Sequence, residues 1–167
     1  MAGLSATTLG PLDPDDASVA ADGWFPAIPL ALVRETARLG DGDLSTQRLT
    51  ASIEAAMLTA FRQLADWRTA HTTTGADSLA SVTAQTLNGR NVAVALWERL
   101  IVSLTAADLF AGNRDISATD RGLDRAGDKE DGADEYYRRA WAAVADLRSY
   151  GPGGTTAPSP RNRVELI

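Results

Sequence analysis

A histidine able to act as a base occurs once in the 167-residue chain, at His71. A nucleophile–histidine–carboxylate triad would have to use it. It stands where a helix gives out, among Thr72, Thr73 and Thr74, with no acidic residue close in sequence, and reads as a surface or helix-end residue. Asp120, Asp124 and Asp128 recur at helical spacing, which would suit a cation site. They lack the Asp-x-Asp-x-Asp-Gly order of a calcium loop, and Arg121, Arg125 and Lys129 balance them. Gly151 to Thr156 is glycine-rich, but no Lys-Ser or Lys-Thr follows and no helix begins there, so it reads as a linker rather than a phosphate loop. Glu54 and Asp66 fall on one expected helix about 18 Å apart along its axis, wider than the carboxylate pairs of glycosidases. The chain has no cysteine, which removes disulfides and thiolate metal sites and leaves the redox compartment open. These residues predict no catalytic, metal or cofactor site, and the weight moves to a binding or structural role.

The elements that would position such a role are mainly helical. Hydrophobic residues are 44% of the chain, mostly Ala and Leu, which favour helix over strand. The length suits one domain with a packed core. The formal net charge of -6 argues against phosphate-backbone binding as the main activity. It suits a solvated acidic surface, or, less simply, a passage through which DNA slides without sticking. Met1 to Gly10 lacks the basic start and apolar run of an export signal. Val92 to Phe110 is the most apolar stretch, but Glu98, Arg99 and Asp108 interrupt it, so a soluble protein without a membrane span is expected.

Residues 1–22 read as a loose, acidic N-terminal arm, 23–150 as a helical bundle, and 151–167 as a Gly/Pro-rich linker with an apolar C-terminal arm. Within the bundle a short helix runs from Leu30 to Leu39 after Pro29, ended by Gly40 and Gly42. A second starts at a cap on Asp43 or Ser45 and continues to about Ala70. Its stripe is Leu49, Ile53, Met57, Ala60, Leu64 and Trp67, with Leu58 on the polar side. Ser78 to Leu87 is either a short strand or an extended connection, and Asn88-Gly89 is a turn. A third helix spans about Asn91 to Ala111. Leu96, Leu100, Leu104 and Ala107 form its stripe, while Val94, Val102 and Leu109 project from the other side. A helix apolar all round is central to its own fold or shared with a partner; in so small a domain a partner is expected. Asn113 to Gly132 reads as a charged loop with a helical turn or two. The last helix, Ala133 to Ser149, carries Tyr137, Ala140, Trp141, Val144 and Leu147 on one face.

Trp67, Trp97 and Trp141 lie on or beside these stripes and are expected in the core. Trp24 can staple the first helix, and Tyr136 points away from its stripe as a contact residue.

Several segments in order carry a resemblance. They are Trp24-Phe25-Pro26-Ala27-Ile28-Pro29, Arg48-Leu49, Leu64-Ala65-Asp66-Trp67-Arg68 and Leu87-Asn88-Gly89. After these come Leu96-Trp97-Glu98-Arg99 through Ala106-Ala107-Asp108-Leu109-Phe110, then Arg114-Asp115, Thr119, Tyr137-Arg138-Arg139 with Trp141, and the closing Val164-Glu165-Leu166-Ile167. From about Gly23 to Ile167 the chain resembles the gpL head completion/stabilisation proteins of contractile-tailed temperate phages. Thr72-Thr73-Thr74 and the Gly/Pro stretch before the tail depart from that pattern.

The resemblance implies a non-enzymatic virion protein of the neck, assembled in the host cytoplasm. It would bind beneath the portal after packaging, help retain the genomic double-stranded DNA passing through its lumen, and present a surface to a tail-side neck or tail completion protein. A ring following the portal would have about twelve copies in a closed head-to-tail arrangement. Leu58, Val94, Val102, Leu109 and Tyr136 are the expected contacts between copies or partners. Val164, Leu166 and Ile167, on a proline-bearing lead, form an arm that is either a loose terminus or docks by strand addition or insertion in a groove. Two other function classes are compatible with a helical chain: a small regulator or adaptor that is not part of a virion, and an enzyme whose site would need a cleft around His71 or the Asp120–Asp128 run.

Overall fold

The structure, a computed structural model, describes residues 17–37, 44–112 and 122–152, with side chains from Gly132 onward in the last stretch. It is mainly helical, as the Ala/Leu-rich composition predicts. Two-residue strands β1 (Ser18–Val19) and β2 (Ile28–Pro29) pair antiparallel, Ser18 opposite Pro29 and Val19 opposite Ile28. Between them Asp22 accepts hydrogen bonds at one carboxylate oxygen from the N–H groups of Trp24 (3.2 Å) and Phe25 (3.1 Å). That Asx turn, with Gly23 at φ 88°, points both rings inward. Helix α1 (Leu30–Ala37) follows directly, opened by the proline at β2's end.

Helix α2 (Thr46–Thr73) is capped by Ser45, whose hydroxyl accepts from the Arg48 N–H at 3.3 Å. Its expected stripe is buried throughout, and Leu58 stands opposite, exposed. The helix runs three residues further than the sequence suggests. The hydroxyls of Thr69, Thr72, Thr73 and Thr74 donate to carbonyls three or four residues back, so the threonine run continues the helix instead of breaking it. Gly75, at φ 96°, ends it.

The ambiguous stretch after α2 contains a 3-10 turn (Leu79–Val82) with Leu79 fully buried, then strands β3 (Thr86–Leu87) and β4 (Arg90–Asn91). Asn88 and Gly89 join the strands with φ 50° and 75°, the two positive values of a type I′ hairpin. Asn91 then starts α3 (Val92–Gly112). Its Oδ1 accepts from the N–H groups of Ala93 and Val94, while its Nδ2 donates to the carbonyls of Ala80 and Thr83.

Helix α3 is the axis of the domain. Every residue from Leu100 to Ala107 is buried, because α1, α2, the 3-10 turn and α4 (Gly122–Arg148) all pack on it. The second apolar face of α3 is therefore met by the chain's own α4, not left open as the sequence reading expected. Helix α4 also begins at Gly122, about three turns before the expected start at Ala133. The charged segment before Ala133 has no apolar period to read, but it holds no proline and is rich in helix-forming Arg, Lys, Glu and Ala. Pairs at opposite ends set the helix directions. Ser52 donates to Asp108 at 2.8 Å and Phe61 stacks on Trp97, so α2 and α3 are antiparallel. Phe110 stacks on Tyr136 at one end of the α3–α4 pair while Tyr150 donates to Gln85 Oε1 at the other.

The α3–α4 seam is lined with small residues. Ser103, Ala106 and Ala107 are buried on α3, and Ala133, Ala140 and Ala143 on α4. Small side chains let helix axes come close.

Trp97 is fully buried, stacks on Phe25 (4.3 Å between centroids), and donates its indole N–H to the Pro26 carbonyl at 3.1 Å. Trp97→Phe keeps an aromatic ring there but strands that carbonyl. Urea denaturation should show a loss of about 1–3 kcal/mol, as a lower midpoint at unchanged slope.

Candidate interaction surface

The aromatic residues that carry much of the resemblance meet in one joint. Trp24 packs edge-on against Phe25 and Trp67, and Phe25, Phe61 and Trp97 stack on one another in a triangle. Over the outer edge lies Arg68, its guanidinium 5.3 Å from the Trp24 ring centre and 5.5 Å from that of Phe25, and ion-paired to Asp22. Trp24 does more than staple α1: its indole N–H donates to the Ala76 carbonyl at 3.1 Å and holds the loop after α2. Trp67 donates to the Tyr150 carbonyl at 2.8 Å.

The same carbonyl receives His71 Nε2 at 2.9 Å, which requires the hydrogen on that nitrogen. His71 is at a helix end, as expected, but it is buried, packed edge-on against Trp67. Its burial could not be read from sequence, since its partner lies 79 residues away. Glu54 and Asp66 stand exposed. Asp120 and the side chains of Asp124 and Asp128 lie outside the described residues. Among those described, no three His, Asp or Glu side chains stand together to hold a metal, and no helix is long and apolar enough to cross a membrane.

The expected contact residues separate into three groups. Leu58 is 64% exposed at the centre of the outer face of α2. Val94 is half-buried against the core, and Tyr136 is half-buried under Phe110, with the Arg139 guanidinium 5.4 Å from its ring centre. Val102 and Leu109 are buried inside this chain and belong to its core. Val164, Leu166 and Ile167 lie outside the described residues.

Two further exposed apolar features were not among the expected contacts. Leu87 is 71% exposed at the hairpin, flanking the Asn88-Gly89 turn. Tyr137 and Trp141, expected in the core, are 39% and 43% exposed. The displacement follows from the alanine seam. The buried centre of α4 runs through Ala133, Ala140, Ala143, Val144 and Leu147, so rings at 137 and 141 fall on its flank. That flank faces α2, because Arg148, on the same side by helical phase, donates to the Gln63 carbonyl of α2.

With this geometry in place, comparison with known proteins gives the family. The model of the phage head completion protein (GPL) family matches residues 19–154. The chain belongs to that family. It is 28% identical over 125 residues to the head completion/stabilization protein of Escherichia phage P2, an alignment covering 75% of this chain and 73% of the relative. No solved structure matches. Membership gives the chain a role in phage head completion, as the ordered motifs predicted, and sets aside the regulator unrelated to virions. The family match ends at residue 154, so Val164-Glu165-Leu166-Ile167 falls beyond it.

Burial raises the Asp22 carboxyl's pKa, but the N–H groups of Phe25 and Trp24 and the Arg68 guanidinium outweigh it and hold the group below its ordinary value. A depressed folded-state pKa contributes stability at neutral pH, lost as pH falls from about 4 through the folded value. The group is about a third exposed, so the effect should be under about 1 kcal/mol. Melting temperature followed from pH 7 to pH 3 should fall less steeply in Asp22→Asn than in the unaltered chain.

Proposed function

We propose that this member of the family is a non-enzymatic structural protein of the head–tail junction. It binds beneath the portal once the genome is packaged, stabilises the filled head, and offers the surface on which the tail side assembles. The observation that carries this reading is the family match across residues 19–154, the region that builds the helical domain. The role of the P2 relative, head completion and stabilisation, supports it.

In this reading the copies form a ring of about twelve that closes head to tail, and the packaged DNA passes through its lumen without being gripped, in keeping with the net charge of -6. Contacts come from surface the domain does not use for itself: Leu58 on α2, the uncovered edges of Val94 and Tyr136, and the apolar residues Val164, Leu166 and Ile167. Val102 and Leu109 act only by holding α3 to its neighbours. Of the expected arms, Ser18, Val19 and Asp22 belong to the domain, through β1 and the turn after it; the remainder, residues 1–16 and 153–167, act as arms on it. Assembly takes place in the host cytoplasm, and the finished protein resides in the virion neck.

Two variants test the reading. Leu58→Asp should melt within about 0.5 kcal/mol of the unaltered chain, since its side chain stands in water, yet reduce the yield of infectious particles in a complementation assay. Deleting Arg163 to Ile167 should leave a folded domain that no longer completes heads, seen by electron microscopy as filled heads that leak DNA and stay tailless. Normal particle yields from both would overturn the assignment of these contacts.

A further inference from the structure

Three of the four tryptophans are buried with their indole N–H groups on backbone carbonyls; Trp141 is the exposed one. With Tyr137 a turn earlier it leaves an aromatic pair open on the flank of α4. We infer that this pair is a docking surface for the chain's own segment Val164–Ile167 in the free protein. The inference concerns the unassembled chain and does not rest on the proposed ring.

The direction of the chain favours it. The Tyr150 carbonyl is fixed to α2 by Trp67 and His71, so the described chain ends, at Pro152, beside the C-terminal end of α4. From Tyr150, Trp141 lies about 14 Å and Tyr137 about 20 Å back along the helix. The eleven residues 153–163 reach about 36 Å when extended. That is enough to turn and run back beside α4 with some slack, and Pro158 and Pro160 favour the extended form.

The chemistry matches in register. Tyr137 and Trp141 are about 6 Å apart along the helix, which two residues of extended chain also span. Val164 therefore meets Trp141 when Leu166, on the same face of the extended segment, meets Tyr137. A short tether holds the segment at millimolar effective concentration near this flank, which favours the chain's own tail over that of a second copy.

Tryptophan fluorescence reads the contact directly, because Trp141 is the residue a soluble quencher reaches. Acrylamide quenching should be compared between the full chain and the chain lacking Arg163 to Ile167, at several protein concentrations, with circular dichroism as the check on folding. Removal of the segment should steepen the Stern–Volmer slope roughly twofold, as expected when a covered ring becomes open. The change should be independent of concentration and absent in a W141F background. The double substitution L166D/I167D should reproduce it at full length. Equal quenching of full and shortened chains would overturn the inference. So would a difference that grows with protein concentration, which would assign the flank to a second copy, or one that persists in W141F.

Discussion

Carbonyl oxygens of connecting segments that turn beneath a helix cannot all be satisfied by helix or sheet, and a buried one without a donor costs free energy. In this protein tryptophan supplies those donors. Trp97 serves the Pro26 carbonyl, Trp24 serves that of Ala76, and Trp67 serves that of Tyr150. Each bond runs from an element to a segment distant in sequence: 71, 52 and 83 residues away respectively. The three indoles therefore do two things at once. Their rings fill the core around Phe25 and Phe61, and their N–H groups tie the N-terminal turn to α3, the loop after α2 to that turn, and the end of α4 to α2. A substitution that keeps the volume but removes the N–H loses the second function alone.

The alanine seam between α3 and α4 is the second constraint. Close approach of these helices lets α4 cover the apolar side of α3, so the most hydrophobic helix in the chain is enclosed without a partner. The same approach leaves no room for large rings at its centre. Tyr137 and Trp141 are pushed to the flank, and the chain keeps an aromatic surface in water that its core does not require.

Much of this was legible in sequence. The α2 stripe from Leu49 to Trp67 has an unambiguous period, Asn88-Gly89 has few conformations open to it other than a hairpin turn, and Leu58 is plainly out of phase with the stripe. The ordered motifs gave the family, and the structure explains why they did: Trp24, Phe25, Trp67, Arg68 and Trp97 are the joint that the fold is built on, so they bind one another rather than a ligand. What could not be read has physical causes. The start of α4 carries no apolar period, so its helix is hidden in a run of charge. Val102 and Leu109 were assigned to a partner because the chain offered so few helices to surround α3, yet α4 packs along it and both residues are buried within the chain. Trp141 shares a helical face with Ala140 and Val144, and periodicity alone cannot say which edge of that face the seam will use. His71 has its partner at Tyr150, a pairing that only the folded chain creates.

The two hydrogen bonds that the Tyr150 carbonyl accepts have a mechanical meaning. A pull on the chain beyond Pro152 would, without them, peel α4 from its last turn, breaking helix bonds one after another. With Trp67 and His71 both holding that carbonyl, the load passes across to the last turns of α2, the longest helix, and is shared by two bonds at once. Tension at this end is thus carried by the body of the domain before it reaches the seam between α3 and α4.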